Sequence, residues 1–354
     1  MEKGLLIIGD HGTNGRSLDP SFDQFVDEVR KVRKKDRNVH VVSYNDVLTN
    51  NLPKIAGRTL KISLFFPFQY WNKHIEVYNA DSRVYGDQKF GQEYKKFFER
   101  AKKAIKKEYR HQKIDFVNPP ESCVLDRDKS AAKRLFQKHQ IPSPKSFYPK
   151  SLADIQKLLA KGESLYIKPR FGSMGKGITY LNKDSLTTNF LFRKGQIVSR
   201  PYDYNWPFCK LAGQRRDSFL KILLAKDFVW EEAIDSCTIR NKRFDFRVYC
   251  IYGKIPYSYA RSAPAVAPVT NWSQGGRIEN KTNFSKDIPK SKLKEIHSLA
   301  LKVAKRLKLN YAGVDIIYSK NFEKIYVLEA HSFPGFEKGF PLMNYLAKKE
   351  KLEL

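Results

Sequence analysis

The chain starts on an unbroken apolar tetrapeptide, Leu5-Leu6-Ile7-Ile8, a pattern that suits a strand covered on both faces. Gly9-Asp10-His11-Gly12 ends it, and Asp19-Pro20 opens a helix that keeps Phe22, Phe25/Val26, Val29 and Val32 on one side. Val39–Ser43 and Lys61–Phe66 read as further strands. A helix carrying Tyr94, Phe97/Phe98, Ala101 and Ile105 leads to the strand Ile114–Val117. Alternating strands and helices of this kind predict a small open parallel sheet, and Asn118-Pro119-Pro120 interrupts the rhythm.

Beyond that break the periodicity changes. Asp128 caps a helix bearing Ala131, Leu135 and Phe136, which stops before Ile141-Pro142-Ser143-Pro144. Ser151-x-x-Asp154 has the form of a capping box. Strand-length runs then follow at 164–168, 177–181, 219–224, 228–234, 244–252 and 255–261. An amphipathic helix spans about Ser291 to Lys308, with Leu293, Ile296, Ala300, Val303 and Leu307 facing inward, and 312–319 pairs with 324–331 as a closing hairpin. The stretch 183–218, with its aromatic segment Arg200–Pro207, fits no regular pattern. Three units result: 1–120, 121–228 and 229–354.

With 354 residues and 41% hydrophobic positions, the chain can bury a core, which excludes wholesale disorder. No apolar run approaches the roughly 18 residues of a membrane span, and Leu5–Ile8 is too short for a signal peptide, so a cytoplasmic protein without a membrane partner is expected. Cys123, Cys209, Cys237 and Cys250 lack metal-site spacing and read as plain thiols. Lys and Arg exceed Asp and Glu by 66 − 37 = 29, which favours anionic partners without choosing among them. Because the basic residues are diffuse and no nucleic-acid motif accompanies them, nucleic acid is not expected as the main partner, while an acidic substrate remains compatible. Bias in composition accounts for the charge equally well. Oligomeric state is not encoded in any pattern.

Several motifs carry chemistry. Arg170-Phe171-Gly172-Ser173-Met174-Gly175-Lys176-Gly177 joins two strands and suits a flap whose backbone N–H groups cradle phosphate, although an ordinary turn has the same look. Its spacing is not that of a Walker A loop. Lys168, at the end of the strand feeding this loop, and Lys129 supply point charges for phosphate oxygens. In the closing hairpin, a turn centred on Phe322 puts Asp315 opposite Glu329, with His331 on the same face as Glu329. Adjacent carboxylates need a proton or cation between them, and a divalent metal carrying phosphates supplies one. A slip of one residue removes the pairing. Glu231 and Glu232, at a strand end, suit an adenine edge and ribose. Arg243, Asp245 and Arg247 alternate onto one face, as a substrate-binding row or a salt-bridge ladder. Arg261 and the turn Thr270-Asn271-Trp272-Ser273-Gln274-Gly275-Gly276 add a cation and a close-approach site.

In this order the motifs resemble the ATP-grasp superfamily, and within it the branch of RimK-type glutamate ligases and YheC/YheD proteins, with tubulin–tyrosine ligases more remote. The likeness runs over about 117–340, from Val117-Asn118-Pro119-Pro120 through Tyr166-Ile167-Lys168-Pro169, Glu231-Glu232-Ala233-Ile234, Phe244-Asp245-Phe246-Arg247-Val248 and Gly313-Val314-Asp315-Ile316 to Leu328-Glu329-Ala330-His331. It implies an α/β ATP-grasp fold, two α+β subdomains sandwiching ATP, preceded by a small βαβ pre-ATP-grasp domain. It also implies an ATP-dependent carboxylate–amine ligase acting on small-molecule or peptide substrates through an acyl phosphate. Lys129, Lys168 and the flap residues Gly172, Ser173, Gly175, Lys176 and Gly177 would contact phosphate. Glu231, Glu232 and Ile234 would read adenine, and Asp245 the ribose. Arg247, Arg261 and Asn271 would serve the reacting groups, and Asp315, Glu329 and His331 would hold magnesium. The family carries asparagine where this chain has His331. Imidazole nitrogen suits Mn²⁺ or zinc better than magnesium, so His331 ligates a softer metal, binds phosphate or substrate, or marks a nucleotide-binding protein that has lost ligase activity.

Overall fold

The computed structural model describes residues 3–10, 19–32, 38–76, 84–198, 206–279, 284–335 and 342–352. Three sheets organise the chain. In the first, β1 (Lys3–Gly9), β2 (Val39–Ser43), β3 (Thr59–Leu64) and β4 (Lys113–Phe116) are all parallel, in the order β2-β1-β3-β4. The apolar run expected at the start is β1, and Leu5 to Ile8 are fully buried. Alternation sends its two faces to different places. Leu6 and Ile8 join a core shared with the second sheet, whereas Leu5 and Ile7 join one that includes Tyr249, Tyr259 and Tyr311 of the third. The first sheet is thus a wedge between the other two. On its flanks, helix Pro20–Val32 buries Phe22, Phe25, Val26 and Val29, and helix Gln88–Glu108 buries Tyr94, Phe97, Phe98, Ala101 and Ile105.

The second sheet contains β5 (Ser146–Phe147), β6 (Leu165–Pro169), β7 (Thr179–Leu181) and β8 (Leu186–Thr188). A separate hairpin of β9 (Leu191–Arg193) and β10 (Gln196–Val198) stands beside it. With β11 (Cys209–Leu211) and β12 (Phe228–Glu232), its order is β11-β8-β7-β6-β12-β5, antiparallel throughout. The run at 219–224, expected as a strand, is instead the end of helix Gly213–Leu224. Its buried residues Phe219, Leu220 and Leu223 fall at helical spacing, and a short apolar run does not distinguish the two states. Part of the unassigned aromatic segment, 199–205, lies outside the described residues, but Trp206 is fully buried against Tyr85, ring centres 5.2 Å apart.

The third sheet holds β13 (Thr238–Ile239), β14 (Lys242–Ile251), β15 (Lys254–Pro264), β16 (Arg277–Ile278), β17 (Tyr311–Tyr318) and β18 (Ile325–His331), in the order β16-β15-β14-β17-β18 with β13 on β14. Helix Lys290–Leu307 covers it with Ile296, Leu299, Ala300, Val303 and Leu307. The β17–β18 hairpin pairs Asp315 with Glu329 as expected, but through a bulge: nearer the turn Ile316, Ile317 and Tyr318 pair with Val327, Tyr326 and Ile325, one residue off that register. Asp128 caps helix Lys129–Lys138 through Ala131 N at 3.0 Å, and Ser151 caps Leu152–Ala160 through Asp154 N at 3.1 Å. The described cysteines are unpaired thiols. No described helix is long and apolar enough to cross a membrane.

Two buried polar joints fasten the parts. Asn118 donates to the carbonyls of Tyr311 (2.6 Å) and Ser332 (3.0 Å) and accepts from Tyr311 N (3.0 Å), tying the segment after β4 to the third sheet. Lys133, buried on helix Lys129–Lys138, lies 2.5 Å from the Glu231 carboxylate and donates to Pro144 O at 3.0 Å. Glu231 also contacts Lys168 on β6. Burial alone raises the Glu231 pKa, but the two lysines outweigh it and hold the carboxyl at about 2, below its ordinary 4.5. A carboxyl depressed by folding adds stability above its unfolded pKa and loses it as pH falls toward the folded value. Glu231→Gln is therefore expected to cost roughly 3–5 kcal/mol near neutral pH, since two buried ammonium groups lose their partner. The gap from wild type should narrow by about 1 kcal/mol at pH 3.5. Urea titrations at both pH values check this, and equal gaps contradict it.

Candidate active site

A cleft of about 440 Å³ opens where the three sheets meet. Lys129, Lys168 and the flap line one wall, and Asp315, Glu329 and His331 line the other. The lysine-bearing and acidic segments, about 160 residues apart in sequence, therefore face one cavity. Lys129 Nζ reaches both sides, donating to Gly172 O at 2.5 Å and lying 3.8 Å from Glu329 Oε1. Burial pulls the Lys129 pKa down. Lys168 is equally enclosed, yet Glu231 and Glu329 outweigh the burial and raise it above its ordinary value. Both lysines start from well above neutral pH, and Lys168 stays charged there.

The acidic wall follows from strand register. Arg261 on β15 stands opposite Asp245 on β14, Arg247 on β14 opposite Asp315 on β17, and Asp315 opposite Glu329 on β18. Opposite charges face each other from β15 to β17, and two like charges meet between β17 and β18. Arg261 binds both Asp245 oxygens at 2.8 and 2.6 Å and reaches Asp315 at 2.9 Å. Arg247 binds Asp315 at 2.5 and 3.1 Å. His331 Nε2 lies 3.3 Å from Asp315 and 3.7 Å from Glu329. Desolvation favours the neutral acids, but Arg247, Arg261 and His331 hold Asp315 well below the usual carboxylate range, and Lys129, His331 and Lys168 lower Glu329. Gly313 is required beside this row: a Cβ there would fall 2.6 Å from Pro334 and 3.1 Å from Arg247 Cδ.

The flap is folded down. Ser273 Oγ and Gln274 Nε2 donate to Met174 O at 2.7 and 3.1 Å, and Ser173 N donates to the Tyr85 hydroxyl at 3.0 Å. Gly175 has φ of +66°, and an added Cβ would come within 2.9 Å of Gln274 and 3.3 Å of Asn271. Gly172, Ser173, Gly175 and Asn271 all border the cleft.

Lys176, Glu231, Glu232, Ile234 and Asp245 also line the cleft, and most of their side chains have protein partners there. Lys176, assigned to phosphate, is fully buried, 2.8 Å from Glu76 and 5.6 Å from the ring centres of Tyr85 and Trp206; Trp71 Nε1 also donates to Glu76. The Glu231 side chain is taken up by Lys133 and Lys168. Glu232 accepts from Lys145 N at 3.3 Å, and Ile234 forms part of the cleft wall. Both Asp245 oxygens are held by Arg261. Asp315, Glu329 and His331 do converge, but among the described residues no three His, Cys, Asp or Glu groups form a ready metal cage. Gly177 follows the buried Lys176 at φ +72°.

Sequence reasoning did not single out Asp126 and Arg127, which end helix Pro120–Arg127 and line the cleft. Asp126 accepts from Ser332 N, and burial pushes its pKa up to about 6. Their only signal was a charged pair directly before the Asp128 cap, with no period to mark it.

This chain is similar to several known proteins. The tetrahydromethanopterin:alpha-L-glutamate ligase of Methanocaldococcus jannaschii is 26% identical over 232 residues, covering 64% of this chain and 65% of the relative. A probable alpha-L-glutamate ligase of Shewanella halifaxensis is 28% identical over 239 residues, 66% of this chain and 42% of the relative. The chain thus spans less than two thirds of either relative's length. The solved ATP-grasp ligase PsnB, complexed with a phosphomimetic variant of its minimal precursor, Mg and ADP, superposes with a TM-score of 0.57 at 14% identity, covering 99% of this chain and 98% of that one. This likeness shows that the fold is ATP-grasp. A YheC/D-like ATP-grasp family model matches residues 131–349, well over half of the sequence and the part that holds the cleft, so the chain belongs to the YheC/D-like ATP-grasp family.

Proposed function

We propose that this protein is an ATP-dependent carboxylate–amine ligase with a small-molecule or peptide substrate. The observation that carries the reading is the single cleft in which Lys129 and Lys168 face the ionised pair Asp315 and Glu329. ATP binds with its phosphates between these walls under the flap. A substrate carboxylate attacks the γ-phosphorus, the bond to ADP breaks, and an acyl phosphate forms. An amine then attacks the acyl carbon, inorganic phosphate leaves with the bonding electrons, and the amine's proton is released to solvent. Charge accumulates on the transferring phosphoryl group, and Lys129 and Lys168 are fixed beforehand to offset it. The flap, tied to the 270–276 turn, keeps water from the acyl phosphate.

The donor set fits a divalent cation shared with phosphate. Two ionised carboxylates are on hand, and magnesium commonly takes one or two of these with phosphate oxygens completing its shell. Glu329 and Asp315 would hold it, and when bound it would neutralise phosphate charge. His331 adds a nitrogen donor that also admits Mn²⁺. The two glutamate-ligase relatives and the precursor peptide bound in another PsnB complex support an amino acid or peptide as substrate. Residues 1–120 would serve as a pre-ATP-grasp domain, with 121–228 and 229–354 as the two halves of the grasp.

One observation favours a nucleotide-binding role without ligation: Arg247 and Arg261 already occupy the oxygens of Asp315. Nucleotide binding without substrate-stimulated ADP release supports that second reading.

Lys168→Met and Glu329→Gln are each expected to lower kcat/KM for ADP release by about a hundredfold or more while thermal unfolding stays cooperative. Activity within a few fold of wild type removes their assigned roles. His331→Asn is expected to lower the ratio of Mn²⁺-supported to Mg²⁺-supported turnover several fold. An unchanged ratio places His331 outside the metal shell.

A further inference from the structure

The cations of the cleft are almost all committed. Lys129 is held by Gly172 O and Glu329, Lys168 by Glu231, and Lys176 by Glu76. Arg247 and Arg261 bind carboxylates, and Arg243 donates to the Tyr166 hydroxyl at 3.0 Å and to Ala267 O at 2.9 Å. Arg127 is the exception. Among the described residues its guanidinium makes no ion pair. It lies instead over aromatic faces, 4.8 Å from the ring centre of Trp71, 5.3 Å from Phe66 and 5.4 Å from Tyr94.

The setting of this arginine is built. Its helix ends one residue before the Asp128 cap, and Asp128 is clamped by Arg170 at 2.7 and 2.6 Å. Phe66 meets Phe333 at 5.8 Å, so the aromatic platform continues along the cleft wall to the segment that follows His331. The guanidinium sits among these rings and shares a hydrogen bond with the Tyr94 hydroxyl, and its remaining N–H donors form a planar fork that matches a carboxylate. The rings also restrict the side chain's rotamers, so less entropy is lost when an anion docks. The phosphates have their own lysines, and the arginine lies on the side of the cleft facing the first sheet.

Granting the ligase reading above, we infer that Arg127 anchors a spectator carboxylate of the amine-bearing substrate, which is thereby an amino acid or peptide with a free acid group seated against the Phe66–Trp71–Phe333 wall. Arg127 is a specificity residue, and the reaction itself is left to the lysines and the acidic row. A purely structural stacking role would affect stability and leave substrate choice alone.

The probes are L-glutamate, L-alanine and glycylglycine, each as the free acid and as its C-terminal carboxamide. They are titrated calorimetrically into the full chain saturated with ADP and Mg²⁺, and ADP release from ATP is followed with the same pairs. The wild type is expected to prefer at least one acid over its amide by about tenfold or more. Arg127→Met should bring that ratio near one through KM, and Arg127→Lys should keep part of the preference. An acid-to-amide ratio unchanged in Arg127→Met overturns the assignment, as does a wild type that binds ADP but favours none of the acids. Failure of the wild type to bind ADP counts against the ligase reading itself, a result distinct from a lost acid preference.

Discussion

Two carboxylates directly opposite on neighbouring strands repel, and the Asp315–Glu329 pair forces the surrounding structure to supply positive charge. Arg247 and Arg261 arrive by register from β14 and β15, His331 from the same strand as Glu329, and Lys129 from across the cleft. The cost of burying these ions is met by pairing nearly every one, and Gly313 leaves room for Arg247 to lie flat. The outcome is a wall of fixed, ionised oxygens opposite fixed ammonium groups. Such a wall needs little reorganisation when a triphosphate and its counter-ion enter.

The first sheet holds that geometry together. One face of β1 belongs to the core under the lysine wall and the other to a core shared with the acidic sheet, so movement of either half is felt by the same strand. Asn118 adds a polar joint to β17 and to Ser332. On the far side of the flap, Lys176 and Glu76 form a fully enclosed ion pair among aromatic rings, which ties the flap to the helical turn that follows β3. The contacts of Met174 with Ser273 and Gln274 are the flap's more exposed ties.

Local pattern carried much of this. The period of two placed Asp245 and Arg247 on one face, and the hairpin over 312–331 was legible, but the Asp315–Glu329 pairing depends on a bulge after Asp315 that no turn signal announces. Helical faces such as Tyr94, Phe97, Phe98 and Ala101 were legible from spacing alone. What local pattern does not carry is competition among distant charges. Lys176 looks like a phosphate lysine within its loop and is claimed by Glu76, 100 positions away. Glu231 suits an adenine edge as a strand-end residue and is claimed by two lysines. Phe219–Leu224 is apolar enough for either state, and packing under the second sheet chose the helix. Arg127 shows no local signal, since its aromatic partners come from three separate elements.

The most direct test of the account is a structure of the full chain with a nonhydrolysable ATP analogue and Mn²⁺, located by its anomalous scattering. The account predicts β- and γ-phosphates in contact with Lys129 and Lys168 and the metal bound by the Glu329 carboxylate, with Asp315 beside it. A nucleotide seated elsewhere, or phosphates in this cleft with no metal at Glu329, contradicts it.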